Sequence, residues 1–385
     1  SNKNLTQNYL LAKEWFEKKE IDKNSFREFI LTKVFFVLIN APSLDEAFVF
    51  FDSQNGRGKS LEKYDLLKAH HLRYISTGNE KLSEDCTIFW EKIDKSKKLG
   101  FLIYTLLGRT RAWSRKEYRN VDVLYEFKSQ RVSNSPDGFY KLNYYQQPPV
   151  FEIWRYIDRE EFDDDDGLEL IFKDIDVWLG SKRMKFVSDS KKYLPFQIMQ
   201  PLEGGEQFFW YVQKYNMLHE ELFVYECDKI PPLFKKLSEQ LKSFSYNLGV
   251  SYLIEVFEAA CLFYYDKFGT ENILEFAVCL EHQLSILRFR QSTIQYASIS
   301  KYIREGDNVF STINEAAFPE HIIRKILEKT EGRYKDFDNS YIEKGIRKDY
   351  FERLYGDNGF YSKHSQLADF TVYKTKMKFK EKLIK

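Results

Sequence analysis

Apolar side chains recur along this chain at the three-to-four-residue spacing of an α-helix, and no other feature constrains the fold as strongly. The clearest run comprises Leu253, Phe257, Ala260 and Tyr264, which fall on one helical face ahead of Gly269. Glycine tolerates the left-handed conformation that commonly ends a helix, so Gly269 is predicted as a C-terminal cap. We therefore expect a fold in which packed helices supply most of the core.

The same periodicity, read with capping residues, places helices along most of the chain. Asn24 or Ser25 is a candidate cap for the second helix, Ser43 opens a capping box with Glu46, and Thr270 is a candidate cap for a later helix. The predicted helices span residues 5–18, 26–30, 44–53, 61–75, 271–290, 293–304, 319–328 and 342–355.

The middle of the chain follows a different pattern. Residues 120–210 contain dense turn signals, among them Pro148-Pro149 and the acidic run 163–166, which indicate long loops between short elements. The sequence thus predicts a mainly α fold, with multi-helix domains and with a few short strands and long loops in the middle. It favours a division into residues 1–135 and 136–385.

Composition narrows the class of protein without identifying a partner. Lysine plus arginine number 59 and aspartate plus glutamate 58, so no net field attracts or repels nucleic acid. Aromatic residues make up 17% of the chain, against only 17 glycines and 9 prolines, which excludes disordered and collagen-like classes. The four cysteines form no C-x-x-C pair, and no apolar stretch reaches the ~18 residues of a membrane span. A cytoplasmic protein with reduced thiols is expected, with no metal site and no cofactor.

One loop has the composition of a phosphate-binding site. Gly58-Lys59-Ser60 matches the end of a P-loop, in which backbone amides surround phosphates and the lysine contacts their oxygens. On that interpretation Asn55, Arg57 and Lys59 would contact a nucleotide. The first glycine of the pattern is replaced by Ser53, and the preceding residues are predicted as helix where a P-loop requires a strand. A connector between two helices is the alternative.

A second cluster is rich in arginine. Between positions 109 and 119 lie five basic residues, Arg109, Arg111, Arg115, Lys116 and Arg119, together with Trp113 and Tyr118. If this segment is one helix, Arg111, Arg115 and Arg119 share a stripe at i, i+4 and i+8 that could contact DNA phosphates. A solvated helix face would have the same composition, and the sequence leaves both interpretations open.

Residues 51–73 carry a family resemblance. They read Phe-Asp-Ser-Gln-Asn-Gly-Arg-Gly-Lys-Ser-Leu and, from Tyr64, Tyr-Asp-Leu-Leu-Lys-Ala-His-His-Leu-Arg. This segment resembles the N-x-R-G-x-x-L-x-x-x-D-L-L-K-A pattern of GmrSD-type proteins, which begin with a ParB/sulfiredoxin-like domain and include restriction systems against modified phage DNA. Weaker similarity extends to residues 201–209, 263–269 and 287–289.

The resemblance implies a phage-defence role, and the departures from it limit what that role can be. The Asp-Gly-Gln-Gln-Arg motif associated with nucleotide-dependent activity and the His-Asn-His-type nuclease pattern do not occur here. The chain resembles the portion after the catalytic head, so its expected partners are DNA and that N-terminal domain. We expect a non-catalytic scaffold or DNA-sensing module of a parent protein that is itself an NTP-dependent endonuclease. The alternative is an NTP-binding enzyme that uses the loop at residues 54–60.

Overall fold

A computed structural model describes ten stretches of the chain, five short strands between residues 140 and 187, and a few single positions. The stretches are residues 2–18, 22–35, 61–75, 80–95, 98–118, 121–128, 197–200, 204–304, 308–334 and 345–364. The chain forms two compact units, residues 1–60 and 61–385. The described residues are mainly α-helical, which confirms the predicted fold class.

The first unit contains two helices, α1 (Asn2–Lys18) and α2 (Lys23–Lys33). Phe16 and Phe26 pack edge to face across them, with ring centroids 4.8 Å apart. The cap of α2 is Asp22, whose carboxylate accepts the backbone N–H groups of Asn24 and Ser25, so the two residues proposed as caps are instead the capped ones. The predicted helix at residues 44–53 is described only at two positions, both of which have helical backbone.

The second unit contains the remaining helices and one π-helix. These are α3 (Lys63–Ile75), α4 (Glu80–Lys95), π1 (Phe101–Arg109), α5 (Thr110–Ser114), α6 (Val123–Phe127), α7 (Glu206–Phe223), α8 (Pro232–Lys242), α9 (Leu248–Phe268), α10 (Ile273–Arg290), α11 (Tyr296–Arg304), α12 (Val309–Glu315), α13 (Pro319–Tyr334), α14 (Gly345–Tyr355) and α15 (Phe360–Lys363). None of the helices described here or in the first unit is long and apolar enough to cross a membrane.

The core of the second unit is built around α10. Every residue from Phe276 to Phe289 is buried, so this helix is surrounded by protein on all sides. Its neighbour α9 contributes Tyr264, whose ring stacks on Phe276 with centroids 4.1 Å apart. All four residues of the predicted apolar face, Leu253, Phe257, Ala260 and Tyr264, are buried. Three of the four cysteines are also buried, and all four are free thiols.

The turn between α9 and α10 confirms one capping prediction and corrects another. Gly269 has φ +63°, a conformation that glycine adopts without steric cost, and it ends α9 as predicted. The cap of α10 is Asn272 at φ +51°, two residues beyond Thr270. The Asn272 amide is turned away from its own helix and donates to Glu320 at the start of α13. A tertiary contact has replaced the local cap.

Five short strands occupy the middle of the chain. They are β1 (Tyr140–Leu142), β2 (Ile153–Arg155), β3 (Ile157–Arg159), β4 (Phe172–Leu179) and β5 (Lys182–Val187). β1 pairs with β2, and β3, β4 and β5 form a second antiparallel sheet in that order. In the β4–β5 pair, Leu179 lies opposite Lys182 and Asp174 opposite Val187.

Candidate binding cleft

A π-helix shapes the surface that surrounds the arginine-rich segment. π1 continues directly into α5, and π-helical turns are rare in proteins and frequent near functional sites. At its C-terminal end, a Cβ on Gly108 would lie 2.9 Å from both the Ile103 carbonyl oxygen and the Val123 side chain. Only glycine allows this approach, so residue 108 determines how closely the chain entering α6 packs against π1.

The arginine-rich segment is not one helix. Helix α5 ends at Ser114, and Lys116 has a left-handed φ of +64°. The N–H of Lys116 donates to Trp113 and the N–H of Glu117 to Ala112, which is the hydrogen-bond pattern of a Schellman motif. The predicted i, i+4, i+8 stripe is therefore wrong, because it requires one continuous helix and α5 ends before Arg115. Arg119 lies outside the described residues.

Two arginines of the segment are directed into the protein. Arg111 is buried and donates to the carbonyls of Ile198 and Gln200 at 2.5 and 2.7 Å, and to Glu126 at 3.1 Å. Arg109 lies 2.5 Å from the Glu255 carboxylate, and its guanidinium lies over the Tyr296 ring. Both charges thus hold distant parts of the chain together, and Arg111 is not positioned to contact a phosphate.

The other two described cations lie closer to solvent. Arg115 pairs with Glu117 at 3.2 Å and also contacts Glu126. Lys116 is exposed, and its nearest carboxylate among the described residues is Glu315, 3.8 Å away. Because both of these side chains are more than half exposed, their ion pair contributes little. Of the four described members of the predicted cluster, Lys116 has the most exposed side chain and is the one best placed to meet a ligand.

A cleft of about 690 Å³ opens beside Lys116. One wall is the turn after α5 together with α6, and the other is α11. Its lining residues are Ala112, Lys116, Glu117, Tyr118, Val121, Asp122, Tyr125, Glu126, Ser300 and Arg304.

Hydrogen bonds fix the walls of the cleft to each other. The Ser300 hydroxyl of α11 donates to the Tyr118 carbonyl at 3.0 Å. The side-chain amide of Asn308 donates to the Trp113 carbonyl at 2.6 Å and to the Tyr118 hydroxyl at 3.3 Å. Tyr125 of α6, by contrast, is 81% exposed. The cleft is preformed, with one aromatic ring free to meet a ligand.

Residues 82–341 match DUF7834, a family of unknown function, and this range is more than half of the 385 residues. The chain belongs to DUF7834. No curated protein and no solved structure matches it. The range matched to DUF7834 runs from α4 to beyond α13, and it includes every residue that lines the cleft.

The carboxylates that line the cleft of this DUF7834 chain already have cationic partners. Glu126 is 4% exposed and contacts both Arg111 and Arg115. The Asp122 carboxylate caps α6 through the Leu124 N–H and lies 3.0 Å from Lys63, whose hydrogen bond lowers the pKa of Asp122. The acidic side chains of the lining thus have counter-charges within the chain.

Two further clusters of polar groups are buried in this DUF7834 chain, and both hold helices in place. His71 stacks on Phe208, with its Nε2 3.0 Å from the Phe127 carbonyl and the Gly205 N–H donating to its Nδ1. Burial lowers the pKa of His71 well below its usual value, so the ring is neutral and its Nε2–H is the donor. In the second cluster, Glu281 of α10 accepts hydrogen bonds from Tyr355 and Tyr361.

The described residues contain no group of three or more His, Cys, Asp or Glu side chains placed to hold a metal ion. Asn55, Arg57 and Lys59, the predicted nucleotide contacts, lie outside the described residues. The cleft itself was not predicted. Arg304 and Ser300 are far from Lys116 in sequence, and no local pattern distinguishes them.

Proposed function

We propose that this DUF7834 chain is a non-catalytic helical scaffold that presents the cleft beside Lys116 as its binding site. The observation that carries the proposal is how the arginine-rich segment uses its charges. Arg109 and Arg111 bind carboxylates and carbonyls of distant helices and loops, and Arg115 neutralises the acidic wall of the cleft. The described arginines of the segment thereby help to build the cleft, which supports a structural role for them over a phosphate-contacting stripe along duplex DNA.

The preformed shape of the cleft supports a role in binding. Ligand sites are usually largely formed before the ligand arrives, since ordering mobile groups would reduce affinity. Here Ser300 and Asn308 hold the turn that carries Lys116 and Tyr118, and Gly108 sets the position of residues 121–123.

The biological setting is proposed from the sequence resemblance alone. Residues 51–73 resemble a segment of GmrSD-type proteins, so we place the scaffold in a cytoplasmic restriction or phage-defence system. In that setting it would support a nucleotide-dependent domain of the kind that precedes such segments. NTP binding by Asn55, Arg57 and Lys59 stays a prediction, and DNA sensing through this chain is the alternative that the duplex-binding assay tests.

The proposal is tested with two assays on the purified chain. In the first, fluorescence anisotropy at ~50 mM salt measures binding of a hairpin-closed DNA duplex, and no saturable binding is expected. In the second, NTP hydrolysis and metal-dependent DNA nicking are measured, and neither is expected. Saturable duplex binding that Lys116→Glu abolishes, or turnover that a single substitution abolishes, would overturn the scaffold proposal.

A further inference from the structure

The carboxylates that line the cleft have oppositely charged partners nearby, whereas the cations that line it have few. Each lining carboxylate, Glu117, Asp122 and Glu126, has a cation of the same chain within 3.2 Å or closer. Among the described residues, Arg304 has no carboxylate at ion-pair distance, and Lys116 has only the weak contact with Glu315. Within the described part of the chain, the two cations that line the cleft thus have little or no counter-charge, and an entering ligand meets them. Two such cations in one cleft favour an anionic ligand.

The two cations are also placed on opposite walls. Lys116 extends from the turn after α5, and Arg304 is the last residue of α11. Since Ser300 of α11 donates to the Tyr118 carbonyl, two residues beyond Lys116, the two walls are held together. A guanidinium binds two oxygens of one phosphate at once, and a lysine adds a second point charge. The pair thus suits a compact group with several anionic oxygens better than it suits an extended acidic chain.

Tyr125 and Tyr118 define the second part of the ligand. Both line the same cleft, and Tyr125 is 81% exposed, so its ring is open to a ligand. An exposed tyrosine beside cations is the combination that stacks on a nucleic-acid base while the phosphate is neutralised. A volume of about 690 Å³ lies within the 300–1,000 Å³ range typical of small-ligand sites.

The backbone at Lys116 is an independent indication that this turn has a specialised role. A lysine at φ +64° occupies a position that glycine or asparagine would normally fill. Backbone of this kind clusters at ligand-binding sites, where surrounding contacts hold it in place. Here the Asn308 amide and the Schellman hydrogen bonds are those contacts.

We infer that the cleft binds a nucleoside phosphate, with its phosphate between Arg304 and Lys116 and its base against Tyr125. The inference rests on the proposed function, because it names the ligand of the scaffold's binding site. The same chemistry is offered by a free nucleotide and by the phosphorylated end of a single strand.

The test is isothermal titration calorimetry of the full chain with adenosine 5′-monophosphate. Adenosine without phosphate and inorganic phosphate are titrated in parallel, and the monophosphate is expected to bind more tightly than either. A 5′-phosphorylated single-stranded oligonucleotide is compared with its 5′-hydroxyl form. If the free nucleotide and the phosphorylated strand bind equally well, the ligand of the cleft is a free nucleotide. If the phosphorylated strand binds markedly more tightly, the ligand is the phosphorylated end of a strand.

Matched variants assign the binding to the cleft. Arg304→Gln and Tyr125→Leu should each weaken binding of the monophosphate about tenfold or more, the loss expected for one charged hydrogen bond or one stacked base. Arg324→Gln and Tyr246→Leu remove an exposed arginine and an exposed tyrosine outside the cleft lining, and they should change affinity less than about twofold.

Several outcomes would overturn the inference. These are binding of adenosine as tight as that of the monophosphate, cleft variants that bind like wild type, or capture of an acidic peptide by the cleft in place of the nucleotide. Absence of nucleotide binding by a chain that is also enzymatically inactive would refute the ligand class and leave the scaffold proposal standing. Hydrolysis of the bound nucleotide would refute the scaffold proposal and leave the ligand class standing.

Discussion

Replacing Arg111 with alanine tests whether the arginine-rich segment is internal framework. The substitution leaves Glu126, which is 4% exposed, without one of its two cations, and it removes the donor from the Ile198 and Gln200 carbonyls. Breaking a buried ion pair from one side costs about 3–5 kcal/mol of stability. Because Arg115 still contacts Glu126, we expect the lower end of that range, about 3 kcal/mol.

Urea unfolding followed by tryptophan fluorescence measures this loss. Lys116→Ala is the matched control, since it removes a cation of the same segment from an exposed position and should change the free energy of unfolding by less than about 0.5 kcal/mol. The double variant Arg111→Met with Glu126→Leu should lose less stability than Arg111→Ala, because it leaves no unpaired carboxylate. An Arg111→Ala protein within about 0.5 kcal/mol of wild type would show that Arg111 is not an internal tie.

Three further substitutions test other parts of the structure. Gly108→Ala should destabilise the protein by about 1–3 kcal/mol, since its Cβ would lie 2.9 Å from backbone and side-chain atoms. Gly100→Ala is the control, because its nearest contact would be 3.6 Å away and its stability should not change. The urea concentrations at half unfolding of the two variants and of wild type are compared. Because the pKa of His71 is lowered in the folded state, the unfolded chain takes up a proton below about pH 6.5 that the folded chain does not. The free energy of unfolding therefore decreases as the pH is lowered, by up to about 1.4 kcal/mol per pH unit. His71→Gln should remove that one-proton slope between about pH 7.5 and 5.5, and an unchanged slope would contradict the neutral buried ring. Tyr355→Phe should cost about 1–2 kcal/mol, since it removes hydrogen bonds of 2.8 and 2.9 Å to the buried Glu281, and thermal unfolding at constant pH would detect it.

Local signals were sufficient to predict most of the helical framework. The predicted helix at 271–290 is α10 (Ile273–Arg290), and the one at 293–304 is α11 with its start displaced by three residues. The one at 342–355 is α14, which is described from Gly345 onward. These helices depend on apolar periodicity and on breakers such as Gly269, which act over a few residues. The first residue of α10 was predicted two positions too early. The reason is that Asn272, which precedes the helix, makes a tertiary contact with Glu320 in place of a local cap.

The candidate site could not be predicted in the same way. The partners of Arg111 include carbonyls at residues 198 and 200, and the cleft combines Lys116 with Arg304, so its geometry depends on contacts distant in sequence. Helix α5 also ends without a glycine or proline, since Lys116 itself adopts the left-handed conformation. With no such signal, a continuous basic helix was the natural expectation, and the direction of each arginine remained undetermined.

The most direct test of the account is the chemical accessibility of individual arginines in the folded chain. The protein is treated briefly with an arginine-specific dicarbonyl reagent, and modification at each site is measured by peptide mass spectrometry, with and without urea. The account predicts rapid modification of Arg304 at the cleft and protection of Arg111 until the chain unfolds. Modification of Arg111 as fast as that of Arg304 in the folded protein would contradict an inward-facing arginine framework around an outward-facing binding site.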